Sequence, residues 1–79
     1  MLDQGGTIDW DDFRFVLAIV RGGSVSAAAR QLGVDHATVI RRVDRLERAL
    51  SAKLFDRRKS GYLLTEAGQR VADSAEAME

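Results

Sequence analysis

Apolar residues recur with a helical period along most of the chain, and this pattern predicts four helices and one hairpin. The first helix is predicted to be capped by Asp9 and to stop at Gly22-Gly23. Phe15 and Ile19 lie one turn apart on a different face of this helix, where they would either contact the core or form part of a dimer interface. The main apolar stripe of this helix comprises Trp10, Phe13, Val16, Leu17 and Val20.

Two further helices are predicted to meet at a tight turn. Ser24 is a good cap for a short helix that runs to about Leu32, and Gly33 can adopt the left-handed conformation that ends it. Asp35 can then cap the next helix. A turn of this length is the one that a helix-turn-helix uses.

The helix after Asp35 has an apolar face and a basic face. Arginine on the second helix of a helix-turn-helix is typical of a major-groove reader, because guanidinium groups match phosphates and guanine edges. The alternative is a solvated helix with ion pairs such as Asp44 with Arg48. The apolar face comprises Val39, Val43, Leu46 and Leu50, and the other side carries Ala37, Thr38, Arg41, Arg45 and Arg48.

A β-hairpin is predicted after this helix, with strands at Leu54 to Arg57 and Tyr62 to Thr65 around a polar turn. Its basic tip would be the wing of a winged helix-turn-helix. Arg57, Arg58 or Lys59 would then contact the phosphate backbone or the minor groove. The alternative is a turn that is merely solvated.

Thr65 is predicted to cap a last helix whose apolar stripe is thin. Such a stripe favours pairing with a second copy, because a short isolated helix is marginal in water. The stripe comprises Ala67, Val71, Ala75 and Met78. The chain is thus predicted to be mainly α, with a flexible tail (1–8), a winged helix-turn-helix with a three-helix core (9–65) and the start of a dimerisation or linker helix (66–79).

Composition limits the function further. The net charge is zero over 79 residues, but residues 41–59 hold eight basic and three acidic residues, whereas residues 1–12 hold four aspartates and no base. This uneven distribution of charge gives the protein one face that attracts phosphate. With no cysteine and one histidine, we expect neither a metal site nor a cofactor. No catalytic set or membrane span is apparent, so we expect a cytoplasmic protein that is not an enzyme.

From Ile8 to its end, the chain resembles the N-terminal DNA-binding domain of the LysR-type transcriptional regulators. The resemblance is carried, in this order and spacing, by DWDDFRFVLAIVRGGSVSAAARQLGV, ATVIRRVDRLERAL, KLFDR and LLTEAG. It implies a winged helix-turn-helix and a linker helix that pairs with a second copy on palindromic double-stranded DNA in the nucleoid. In whole family members a C-terminal domain senses a small-molecule inducer, and we expect no such domain within these 79 residues.

The resemblance also implies which residues contact DNA. It places contacts at the start of the recognition helix, on His36, Ala37, Ile40 and Arg41, and at the start of the wing, on Arg57. It matches Ser24 and Ser26 to phosphate-contacting positions of the preceding helix. Together with the basic face and the wing tip, the predicted set is Ser24, Ser26, His36, Ala37, Thr38, Ile40, Arg41, Arg42, Arg45, Arg57, Arg58 and Lys59.

Three positions depart from the family pattern and bear on operator choice. The family usually has Ser-Gln where this chain has Asp35-His36, and often a serine at Ile40. Ile40 would meet either a thymine methyl group or the core. His36 would donate to a base or phosphate, or would be solvated.

The sequence therefore predicts sequence-specific binding of double-stranded DNA, with residues 36–50 in the major groove and the wing at 57–61. The alternative is a winged-helix module for protein–protein association or dimerisation that does not bind DNA.

Overall fold

The computed structural model describes residues 8–79, and residues 1–7 of the predicted tail lie outside this range. The described residues form α1 (Asp12–Gly22), α2 (Val25–Leu32), α3 (His36–Leu50), β1 (Phe55–Arg58), β2 (Gly61–Leu64) and α4 (Glu66–Ala77). This is the predicted winged helix-turn-helix with a fourth helix. No helix in residues 8–79 has the length and apolar character needed to cross a membrane.

Three helices begin at the predicted caps. The side chains of Ser24, Asp35 and Thr65 each accept a hydrogen bond from the backbone N–H three residues later. Each therefore satisfies a donor that the first helical turn leaves unpaired. Gly33 ends α2 with φ of 70°, as its position predicted.

The start of the first helix differs from its prediction. The Asp9 carboxylate accepts a hydrogen bond from the Asp11 N–H at 3.0 Å, and the Asp9 carbonyl accepts one from Asp12 at 2.9 Å. Asp9 thus caps a turn, and regular helix begins only at Asp12. Ile8, assigned to the tail by its sequence, is half-buried and packs against the core.

The apolar residues of α1 are buried on more than one side. Phe15 and Ile19 are 3% and 2% exposed and belong to the core, so they do not form a free dimer surface. Trp10 and Val20 are 63% and 37% exposed, although the helical pattern placed both on the core stripe. The reason is that α1 packs against α2, α3 and α4 together, whereas the stripe assumes one partner.

The wing is an antiparallel hairpin whose first strand lies one residue later, and whose second strand lies one residue earlier, than predicted. Phe55 pairs with Leu64 and Arg58 pairs with Gly61, so only residues 59–60 form the turn. Leu54 lies just before the strand. Its N–H donates to the Glu47 carboxylate at 2.8 Å, and its carbonyl accepts from the Thr65 N–H at 3.0 Å.

The last helix crosses close to the base of the wing. A Cβ atom on Gly68 would lie 2.0 Å from the Leu54 carbonyl oxygen, so only glycine allows this approach. The Thr65 hydroxyl also donates to the Lys53 carbonyl at 2.6 Å. These two contacts fix where α4 begins relative to the wing.

Ser51 ends α3 in the left-handed conformation, with φ of 53° and ψ of 42°. It is the only non-glycine residue with positive φ among residues 8–79. A side chain in this conformation costs free energy that glycine avoids.

We predict that Ser51→Gly raises the free energy of unfolding by about 0.5–1 kcal/mol, because relief of strain exceeds the extra entropy of an unfolded glycine. Urea unfolding followed by circular dichroism measures this change. The matched control is Gly33→Ser, at φ of 70° with open space around the added Cβ, which should be destabilised by a similar amount. A loss of stability in Ser51→Gly would contradict the assignment of strain.

Candidate nucleic-acid interface

The first turn of α3 brings together two of the predicted DNA contacts. The Ser26 hydroxyl on α2 lies 2.8 Å from Nε2 of His36, the first residue of α3. Asp35 directly precedes His36, and hydrogen bonding from Thr38 lowers the pKa of its carboxyl group from the ordinary 3.8. The cap therefore remains charged at neutral pH, and it occupies the N–H donor of Thr38.

The outward face of this turn contains exposed and half-buried residues. Ala37 and Arg41, one turn apart, are exposed, while Thr38 and Ile40 are half-buried. Because Ile40 is only half-buried, part of its side chain stays accessible to a ligand. Arg41 makes no ion pair with any residue in the range 8–79, so its charge is available to a ligand.

Arg42 and Arg45 face the acidic start of α1. Arg42 donates to the Asp12 carboxylate at 2.6 Å, and its guanidinium group lies 4.9 Å from the centre of the Phe15 ring. Arg45 donates to both oxygens of Asp12 at 2.8 and 2.9 Å, and to Asp9 at 2.9 Å. In this structure both arginines therefore connect α3 to α1.

The Asp12 carboxylate is the centre of this cluster and is only 1% exposed. Burial by itself raises the pKa of a carboxyl group, but hydrogen bonds from Arg45 and Arg42, with their charges, outweigh it and lower the pKa from 3.8. Asp12 thus stays ionised. The pKa of Arg45 is raised in turn, chiefly by its hydrogen bonds to Asp12.

Arg57 belongs to a second cluster, which joins the wing to α3. Its guanidinium group pairs with Asp44, donates to Glu47 at 3.0 Å and lies 5.3 Å from the centre of the Tyr62 ring. Asp44 is thus engaged by Arg57, and the Asp44–Arg48 pair considered from the sequence is absent from residues 8–79.

Glu47 is a key residue that the sequence analysis missed. It is 9% exposed, and one carboxylate oxygen accepts hydrogen bonds from the N–H groups of Leu54 and Phe55 at 2.8 and 3.3 Å. Its position beside Leu46 on the apolar side of α3 is the signal that could have revealed it. The residue attaches the start of the wing to α3.

The tip of the wing is exposed and basic. Arg58 pairs with its neighbour Asp56 at 2.7 Å, but its side chain remains 60% exposed. Lys59, at the turn, makes no ion pair within the described part of the chain, and the same holds for Arg48 and Lys53. These side chains are available to phosphate without breaking an internal network.

Most of the predicted dimer stripe on α4 is used within one chain. Ala75 is 3% exposed, and Ala67 and Val71 are half-buried against the core. Met78 is 54% exposed. It borders an apolar surface groove of about 400 Å³, lined in part by Ile8, Trp10, Phe13, Leu50 and Val71.

We predict that Asp12→Asn lowers the free energy of unfolding at pH 7 by about 2 kcal/mol, because Arg42 and Arg45 lose the negative charge and one of the two acceptor oxygens. A carboxyl group with a lowered pKa stabilises the fold above its unfolded pKa, and this contribution is lost as the pH falls through its folded pKa. The difference between wild type and variant should therefore be constant from pH 7 to about 4 and shrink below that.

Urea unfolding at several pH values measures this difference. Asp11→Asn is the matched control, because its side chain is 43% exposed and pairs mainly with Arg14. It should change stability by less than about 0.5 kcal/mol. Equal effects of the two substitutions would refute a special role for Asp12.

Comparison with known proteins agrees with this geometry. Residues 10–69 match the family described as "Bacterial regulatory helix-turn-helix protein, lysR family". The chain is 42% identical over 64 residues to the HTH-type transcriptional activator TtdR of Escherichia coli (strain K12), which covers 81% of this chain and 21% of that protein. It is 48% identical over 48 residues to the Mau operon transcriptional activator of Paracoccus denitrificans, and this match covers 61% of this chain and 17% of that protein.

The chain thus spans about a fifth of the length of these two relatives. Among solved structures, a complex of the CbnR DNA-binding domain with DNA has a TM-score of 0.85 at 27% identity, over 90% of this chain and 82% of that one. The family match covers all of the helix-turn-helix and the wing, and the start of α4. By sequence and by fold, this chain belongs to the lysR family of bacterial regulatory helix-turn-helix proteins.

Proposed function

We propose that this chain binds double-stranded DNA sequence-specifically, as the DNA-binding domain of a LysR-type transcriptional regulator in the cytoplasm. Residues 36–50 enter the major groove, and the wing at 57–61 lies on the backbone or in the minor groove. The observation that carries the proposal is the exposed Arg41 on the second helix of a helix-turn-helix, which has no ion pair within residues 8–79. The similarity to a domain solved on DNA supports it.

The predicted contact residues differ in how readily they can reach DNA. Arg41, Arg58 and Lys59 are exposed, and Arg41 and Lys59 have no internal ion pair in residues 8–79. Arg42 and Arg45 would first have to leave Asp12, which would then be buried without a partner. We therefore assign base contact to Arg41 and phosphate contact to the wing tip, and we assign Arg42 and Arg45 chiefly to holding α3 in place.

The remaining predicted contacts fit this arrangement in supporting positions. Ser24 uses its hydroxyl as the cap of α2, so a phosphate near it would meet the first N–H groups of that helix. Arg57 lies between the wing and α3, where a phosphate would compete with Asp44 and Glu47 for its guanidinium group. Ala37, Thr38 and Ile40 add shape and methyl contacts at the base edges.

We predict that two neighbouring substitutions, each removing one arginine charge, have different effects: one weakens DNA binding and the other weakens folding. Arg41→Ala should cost about 1–3 kcal/mol of binding free energy at the preferred sequence and flatten discrimination at one base pair. It should change the free energy of unfolding by less than about 0.5 kcal/mol. Arg42→Ala should instead lower that free energy by about 1–2 kcal/mol while keeping duplex affinity within about threefold.

Fluorescence anisotropy with labelled duplexes, at a temperature where both variants are folded, measures these affinities. Repeating the titration at several salt concentrations tests the proposed function itself. The slope of log affinity against log salt should be about −0.9 for each phosphate contacted. A slope near zero in the wild type, as expected of a protein–protein module, would refute DNA binding.

We also propose that two copies bind a palindromic operator as a homodimer through α4. Two recognition helices must lie about 34 Å apart, or a multiple of this, to meet successive major grooves. Because Ala75 is buried and Ala67 and Val71 already contact the core, the surface open to a partner is Met78 with the neighbouring groove and Trp10. Response to a small-molecule inducer would belong to another domain of a regulator as long as the relatives.

We predict that Met78→Glu shifts the monomer–dimer equilibrium at least about tenfold toward monomer, because a charge would be desolvated in the interface. The matched control is Leu63→Glu, on the wing, where the apolar side chain is 49% exposed. Sedimentation equilibrium measures both. Dimers that survive Met78→Glu, or that dissociate equally in the control, would place the interface elsewhere.

A further inference from the structure

The hydrogen bond between Ser26 and His36 is a contact between two otherwise solvent-facing side chains. It joins the start of α2 to the start of α3, with 2.8 Å between the Ser26 hydroxyl oxygen and His36 Nε2. Ser26 is half-buried and His36 is exposed. Such a bond contributes little to stability at the surface, but it fixes the orientation of an imidazole ring at the outer end of the helix that faces DNA.

The bond leaves one ring nitrogen for a ligand. With Nε2 engaged by Ser26, Nδ1 makes no hydrogen bond to any residue in the range 8–79. A histidine ring has two neutral tautomers and one charged form. When the Ser26 hydroxyl donates to Nε2, Nδ1 carries the proton, and in the charged form Nδ1 carries a proton as well. Two of the three states thus present an N–H donor at Nδ1.

We propose that Ser26 is a positioning residue for sequence recognition, which holds His36 so that Nδ1–H donates to the N7 acceptor of one purine in the major groove. The inference rests on the proposed function, because it needs α3 in that groove. Adenine and guanine both present N7 there, whereas pyrimidines present no ring acceptor at that place. His36 therefore selects purine over pyrimidine at one position, and Ser26 supplies that selectivity without touching the base.

The selectivity for purine depends on Ser26 because Ser26 fixes the orientation of the His36 ring before DNA binds. A free histidine side chain would lose rotamer freedom on binding and could turn to a phosphate instead of a base. Asp35, directly before His36, caps α3 by accepting from the Thr38 N–H at 2.8 Å and makes no hydrogen bond to the ring within residues 8–79.

The test compares Ser26→Ala, Ser26→Thr, His36→Ala and the double variant with Ser26→Ala and His36→Ala. Each protein first selects bound sequences from a random duplex pool, and its affinity is then measured for duplexes changed at one base pair. The wild type should prefer purine at one position by about 3- to 10-fold, the range expected for one hydrogen bond. Both alanine variants should lose this preference at that same position, and the double variant should lose no more.

Ser26→Thr retains the hydroxyl and should retain the preference. Affinity for an unrelated duplex should change less than about twofold in every variant, because no phosphate contact is lost. A second readout is independent of DNA. The chain has one histidine, so the long-range proton–nitrogen NMR spectrum shows a single ring, whose nitrogen shifts should move in Ser26→Ala and stay close to wild type in Ser26→Thr.

Three outcomes would overturn the inference alone. The first is a uniform loss of affinity for all duplexes in Ser26→Ala, which would make Ser26 a phosphate contact. The second is a changed base preference in Ser26→Ala at a position different from the one that changes in His36→Ala. The third is an unchanged base preference in Ser26→Ala. A wild type that selects no sequence from the pool would refute the proposed function and this inference with it.

Discussion

The arrangement of the domain depends on one carboxylate that is buried and paired. Asp12 has almost no access to water, and an ionised group in that position requires partners. Arg42 and Arg45 supply them from the adjacent helix, and the three side chains fix how α1 lies across α3. The arginines of α3 therefore offer less free charge than their number suggests, since Arg42 and Arg45 pair with Asp12 whereas Arg41 and Arg48 are exposed.

A second carboxylate has the same function at the other end of α3. Glu47 accepts from two backbone N–H groups at the start of the wing and from Arg57, which also contacts Asp44 and the Tyr62 ring. A family of DNA-binding domains must expose positive charge while keeping a small core intact. In this chain acidic side chains form internal ion pairs with some of the arginines, while other basic side chains remain exposed. An overall charge of zero is therefore compatible with a basic surface.

Much of the fold could be predicted from the sequence because its signals are local. Ser24, Asp35 and Thr65 cap donors three residues away, and Gly33 adopts the left-handed turn beside its helix. The ion pairs could not be predicted, since Arg45 and Asp12 are 33 residues apart in the sequence. Helical periodicity separates polar from apolar positions, but it does not show which polar side chains contact each other. The same limit explains the misplaced Trp10: its stripe assumed one packing partner for α1. The sequence predicts Ser26 and His36 as separate DNA contacts, but their hydrogen bond depends on the angle between two helices.

The attachment of the wing through Glu47 has a mechanical consequence. Hydrogen bonds to the backbone at Leu54 and Phe55 attach the base of the wing to α3, and the close crossing at Gly68 places the first turn of α4 against the same base. The end of α3, the wing and the beginning of α4 are therefore anchored to one another at a single place. In the proposed dimer, a difference in half-site separation between operators would then be accommodated in α4 beyond Gly68 and not between the wing and α3.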